Sequence, residues 1–305
     1  MKNQGKINPS IKSVGSDLVV VFFFFLWAIK IKLKNMKSGI IFSILLLICK
    51  VVLASGEWVA QGARSTGMGL SSAAASDFWS INNNQAGMAF YDRTAAGIYL
   101  ENRYLIKEMG LQVGAFTLKT QYGVLGASVS YTGDANYRTT KTGLAFARKF
   151  GPNFSAGIQL DYISTALGED YGKHSNITFD AGILVKISKQ LTFGAHTFNP
   201  LHVQLSEYDN ERIPTTLNAG FGFAFSDKLI LTAEAFKNSE LPMEFRSGVE
   251  YKLSQVAYAR VGLCTNPGRY TFGFGLLMKK LTFDLSSSWH QQLGYSPQVS
   301  LQYSF

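Results

Sequence analysis

The chain has 305 residues, 47% of them hydrophobic and only 16% charged, with 23 Phe, 14 Tyr and 29 Gly against 7 Pro. Its net charge of +9 is concentrated in residues 1–54, which hold eight Lys and one acid, Asp17, and leave +2 for the remainder. That distribution argues against a polyanion-binding surface, so no nucleic-acid partner is expected. The two cysteines, Cys49 and Cys264, and the four histidines show no zinc-ligand spacing, and no metal or cofactor is expected.

Two apolar stretches open the chain. "DLVVVFFFFLWAI" (17–29) has the length of a signal-peptide core. The second follows Met36-Lys37 and reads "SGIIFSILLLICKVVLAS": a basic start, an apolar core and small residues around Ala54. Residues 1–54 are therefore read as a leader, with a true start at Met36, a signal peptide over 36–54 and cleavage after Ala54. The alternative is one long leader with two hydrophobic segments. Either way the protein is expected to leave the cytoplasm of a Gram-negative bacterium.

Residues 55–93 differ in character from residues 94–305. The run "QGARSTGMGLSSAAASDFWSINNNQAGMAFYD" (61–92) is rich in small residues and has little strand character. A segment that long without a strand of its own is expected to be functional or plugging. "GARSTGMG" (62–69) followed by "NNNQAGMA" (82–89) resembles the N-terminal signature of the long-chain fatty acid transporter (FadL-like) superfamily. The likeness is greatest to its PorV/PorQ-like branch, which is associated with type IX secretion. The matching positions are Gly62, Ala63, Arg64, Gly67, Met68, Gly69, Asn84, Ala86 and Gly87, with Gln85 standing where the signature has proline. The resemblance implies that residues 55–93 fold into a barrel lumen as a hatch. There Arg64 is expected to pair with a lumen carboxylate such as Glu101 or Asp284, or else to stay solvated at the mouth.

From residue 94 onward, runs of about ten residues alternate apolar with polar and are separated by turn signals. "NFSAGIQLDYIS" sets Phe154, Ala156, Ile158, Leu160 and Tyr162 against Ser155, Gly157, Gln159 and Asp161. Fourteen such runs can be counted, the first over 94–106 and the last over 297–305. Short connections such as "GPN" (151–153) and "KK" (279–280) alternate with longer ones such as 199–212. This is the pattern of an all-β, antiparallel transmembrane β-barrel of about 14 strands spanning 94–305, with the N-terminal segment plugging or lining the lumen. The apolar faces are expected to meet lipid. The opposite faces carry Glu101, Arg103, Asp161, Asp180, Glu234, Arg246, Glu250, Arg260 and Asp284, expected as a polar network in the lumen. Trp79 and Trp289 are read as interfacial anchors, with core packing the equally plain alternative.

The final strand alternates Val299, Leu301, Tyr303 and Phe305 with Ser300, Gln302 and Ser304. A terminal aromatic on such a strand resembles the signal read by the outer-membrane insertion machinery. No catalytic residue is expected: Ser286, Ser288 and His290 share a face through strand periodicity alone, and the protein is not read as an enzyme. The expected partners are outer-membrane lipid, the insertion machinery, and either secretion-system components or a hydrophobic small molecule, with the barrel monomeric. The leading reading is an accessory or structural barrel linked to protein secretion. Its rival is a FadL-like transporter for hydrophobic molecules such as fatty acids.

Overall fold

A computed structural model describes residues 60–134, 137–167, 172–203 and 213–305. The leader and its cleavage point lie outside the described residues. Three short helices come first: α1 (Ala63–Gly67), α2 (Ser80–Asn83) and α3 (Ala86–Tyr91). Fourteen strands follow: β1 (Ala95–Asn102), β2 (Gly110–Lys119), β3 (Val124–Gly133), β4 (Tyr137–Lys149), β5 (Phe154–Leu167), β6 (Lys173–Lys186), β7 (Leu191–Phe198), β8 (Thr216–Ser226), β9 (Leu229–Asn238), β10 (Glu244–Lys252), β11 (Ala257–Cys264), β12 (Arg269–Met278), β13 (Leu281–His290) and β14 (Gly294–Ser304).

Each strand pairs antiparallel with its chain neighbours, and β1 pairs with β14, so the sheet closes on itself. Closure satisfies the backbone groups that an open sheet edge would leave unpaired in hydrocarbon. The last bond of the seam runs from the Phe305 N–H to the Thr94 carbonyl at 3.0 Å.

Side-chain alternation sets the two faces. On β5, Ile158, Leu160 and Tyr162 are exposed outward while Ser155, Gln159 and Asp161 are buried inside. On β8, Leu217, Phe221 and Phe223 point out and Thr216 and Asn218 point in. Such a continuous apolar exterior suits a bilayer, and the polar positions face a lumen. The short turns collect at one end of the barrel, and the longer connections at the other.

Two features depart from the sequence reading. The first strand stops at Asn102 rather than 106, because Tyr104 and Leu105 adopt left-handed φ of 54° and 59°. Arg103 therefore belongs to a 3-10 turn at the rim, not to a strand. Trp79 is no interfacial anchor: it is buried in the lumen, 5.0 Å from the Phe78 ring centroid and 5.8 Å from that of Tyr99. Trp289 lies on the outward set of β13, stacked on Tyr270 at the long-loop end.

Candidate functional site: the plugged lumen

The small residues of 60–92 let the backbone run directly against the wall. Helix α1 lies along β12 and β13, where the Gly67 and Gly273 backbones touch. The chain then crosses towards β10 and β11. A Cβ added at Gly262 would sit 2.6 Å from the Cα of Gly69, so only glycine on both sides permits this approach.

Hydrogen bonds fix the crossing. The Gly69 N–H donates to Thr271 Oγ1 at 2.9 Å, and the Cys264 thiol reaches the Gly69 carbonyl at 3.1 Å. The Ser72 and Ala73 N–H groups both donate to Glu234 Oε2, at 2.8 and 2.7 Å. Asn84 Nδ2 donates to the carbonyls of Ala73 and Ile183, and its Oδ1 accepts from the Ala86 N–H. Gln85, in the proline position of the signature, has φ −56°, within the range a proline ring imposes. Its amide donates to the Ile81 carbonyl and to Asp180.

Arg64 makes neither of the ion pairs expected for it. Its guanidinium forks onto Glu250 with two bonds of 2.9 Å and reaches Asp77, within the hatch itself, at 2.8 Å. The Glu250 carboxylate raises the Arg64 pKa well above its ordinary value. Glu101 is occupied at the rim by Arg103 at 3.2 Å and by the Tyr99 hydroxyl. Asp284 is taken by Arg260 at 2.7 Å, and Arg260 also holds Glu250 at 2.6 Å.

The other charges form two further clusters. Lys141 bridges Asp161 at 3.0 Å and Asp180 at 3.2 Å, with His196 Nδ1 bonded to Asn218. Arg246 pairs with Glu234 and Glu244, lies 3.7 Å from the Phe236 ring, and shares Glu244 with Arg269. Lys141, Glu244, Arg269 and Asp77 were absent from the sequence reading. The first three alternate correctly within their strands, so inward periodicity was a usable signal; Asp77, in the irregular hatch, gave none.

The lumen is not uniformly polar. On the β1–β4 side the inward residues include Leu111, Val113, Val124 and Ala145, packed against Phe78, Trp79, Ile81 and Met88 of the hatch. Alternation alone hid this, because an apolar residue looks alike on either face of a strand. Between the hatch and the ion pairs lies a polar cavity of about 40 Å³ lined by Gln61, Asn82, Lys141, Asp180, His196 and Asn218.

Outside the apolar wall is a groove of about 630 Å³ whose lining includes Ala96, Ile98, Gly114, Phe116, Val129 and Leu301. Gly114 presents no side chain to the groove, and on the inner side of the neighbouring strand Gly97 abuts the Phe78 ring.

The Ser286–His290 face and the terminal strand complete the positions singled out in the sequence. His290 Nδ1 accepts from the Gln292 and Leu293 N–H groups, capping the β13–β14 turn, and Ser286 bonds Gln298. Leu301, Tyr303 and Phe305 are exposed on the outer face, with Tyr303 and Phe305 in edge contact at 5.2 Å.

This is a closed 14-strand β-barrel with a plugged lumen, and its fold is similar to those of solved transporters and channels. The structure of a Pseudomonas aeruginosa FadL homologue superimposes with a TM-score of 0.60 at 15% identity, over 80% of this chain and 98% of that one. The CymD monoaromatic hydrocarbon channel gives 0.63 at 14% identity, over 81% and 98%. The Ralstonia pickettii toluene transporter TbuX gives 0.65 at 14% identity, over 80% and 98%. No family model matches the sequence, and no curated protein matches it.

Proposed function

We propose that this chain is an outer-membrane channel for small hydrophobic molecules, held closed by its hatch in the conformation described. One observation carries the reading: the hatch aromatics and the external groove are both apolar and lie on opposite sides of one stretch of wall, where Gly97 faces Phe78 inside and Gly114 lines the groove outside. An apolar molecule using that region avoids the ion-paired half of the lumen, where desolvating charges would be costly. The solved structures of like fold include channels whose names specify toluene and monoaromatic hydrocarbons, and that substrate class fits an apolar groove.

Gly114→Trp tests the reading. A Cβ at Gly114 meets nothing nearer than Val129 Cγ1 at 3.7 Å, so a side chain can start from this position towards the groove. Cells of a Gram-negative host lacking such a channel should take up labelled toluene faster when they express the wild-type chain. The variant should lower that rate about tenfold, corresponding to about 1.4 kcal/mol of added barrier. Equal uptake by wild type, variant and empty vector would refute the channel.

A second reading has its own support. The ion pairs and hatch leave only about 40 Å³ in the polar half, which suits a non-conducting barrel serving a PorV/PorQ-like role in protein secretion. Its mark would be a stoichiometric secretion component co-purifying in mild detergent, with no uptake of apolar solutes.

The terminal strand is proposed as the assembly signal in either case. Phe305→Ala removes an exposed ring while keeping the backbone bond to Thr94. It should reduce heat-modifiable barrel in the outer membrane several-fold, with little change in the stability of protein refolded in detergent. A large loss of stability on refolding would make Phe305 a packing residue instead.

A further inference from the structure

The charge of the barrel is sorted by end. The short turns and the strand ends around them, with Asp92 and Arg93 at the start of the barrel, contain ten Lys or Arg and only two Asp. The long connections at the opposite end, with the two strand residues flanking each, contain seven basic and ten acidic residues. The basic residues are spread around the whole circumference. Each of the six short turns contains or adjoins at least one, taken in order Lys119, Arg148, Lys189, Lys228, Lys252 and Lys280. All are exposed except Lys252, which is half-buried.

Next to this ring lies an apolar one. Tyr122, Phe150, Ile187, Phe225, Leu253 and Met278 are exposed large side chains, one at each of the same turns. Aromatic and aliphatic side chains beside Lys and Arg mark the boundary between hydrocarbon and headgroups. Lys280 lies 6.0 Å from the ring centroid of Tyr303, on the outer face of the last strand.

We propose that the short-turn end is a collar that binds anionic phospholipid headgroups in the leaflet it faces. This rests on the membrane-channel reading above. A compact acidic protein would call for basic charge on one side. A complete ring interleaved with exposed apolar side chains matches a continuous layer of phosphates at the edge of hydrocarbon, to which basic residues near the surface are attracted within about a Debye length. The collar gives the barrel an orientation-dependent lipid preference, because the long-loop end lacks the excess of positive charge.

The test compares three full-length chains in nanodiscs containing an excess of phosphatidylethanolamine over phosphatidylglycerol. One is wild type. The second carries R148Q, K189Q, K228Q and K280Q. The third carries K107Q, R138Q, K173Q and K237Q, which removes as many charges from the long-loop end. After gentle detergent extraction, the lipids retained on each barrel are measured by mass spectrometry.

Wild type and the long-loop variant should retain phosphatidylglycerol enriched over the input by about fivefold, the ratio given by about 1 kcal/mol per headgroup contact. The short-turn variant should retain the input composition, and high salt should remove the enrichment from the other two. Equal composition on all three chains at low salt would overturn the collar; a ring made for a soluble acidic protein would give that result. Failure of the wild-type chain to enter nanodiscs would instead refute the membrane reading, and this inference with it.

Discussion

Replacing Gly262 with valine is expected to drive the hatch off the barrel wall and open the lumen to ions. The added Cβ would lie 2.6 Å from Gly69 Cα and from the carbonyl carbon of Met68. Both are backbone atoms of a crossing pinned by Thr271, Cys264 and Glu234, so no side chain can swing aside. Gly262 is itself fixed in the ladder opposite Gly248 and Thr271. Overpacking costs about 1–3 kcal/mol, and a clash against backbone that cannot move aside belongs at the upper end. The wall keeps its pairing because the substitution leaves every ladder hydrogen bond intact, so the strain falls on the hatch. Planar-bilayer recordings should show a closed wild-type barrel and an ohmic conductance for Gly262→Val, with Gly262→Ala between them. A valine variant as silent as wild type would mean that the hatch does not rest on this wall.

Glu250→Ala should give the largest loss of stability among the lumen carboxylates. Glu250 joins two cations: Arg64 of the hatch, at 2.9 Å, and Arg260 of the wall, at 2.6 Å. Without it, Arg64 keeps Asp77 and Arg260 keeps Asp284, but the two guanidiniums face one another across the space the carboxylate had bridged. Removing one partner from a buried ionic cluster costs about 3–5 kcal/mol, because the remaining charge stays desolvated. Urea unfolding of the lipid-reconstituted protein, followed by heat-modifiable migration, should show a loss of that size. Glu250→Gln, which still accepts a hydrogen bond, should lose less. A loss for the alanine variant below about 1 kcal/mol would show that the cluster is as solvated as a surface pair.

Much of the fold was legible in the sequence because a transmembrane strand must alternate strictly. β5, β6, β8 and β13 each bury a polar set and expose an apolar one, and bilayer and lumen demand opposite chemistry at successive residues. The strand count and the short-turn pattern follow from the same constraint. The hatch followed other physics. Its Gly and Ala residues signalled close backbone approach, but not which wall each would touch. Arg64 therefore read as a partner for Glu101 or Asp284, when three-dimensional crossing placed it on Glu250 and Asp77. The apolar wall of β2–β4 escaped for a different reason. Leu111, Val113 and Val124 would suit lipid as well as they suit Phe78 and Met88, and only the plug's position distinguishes the two. Lys141 and Glu244 sit on inward positions of regular strands, so stricter use of alternation would have included them.

Cys264 offers the most direct test of the plugged lumen. It is the single cysteine in residues 55–305, it is buried, and its thiol lies against the Gly69 carbonyl of the hatch. The measurement is maleimide labelling of native membranes carrying a Cys49→Ser chain, so that Cys264 alone can react. Protection is expected in the folded barrel, with full labelling after unfolding in urea. Rapid labelling of the folded Cys49→Ser barrel, at the rate of the unfolded chain, would contradict a hatch seated against β10 and β11.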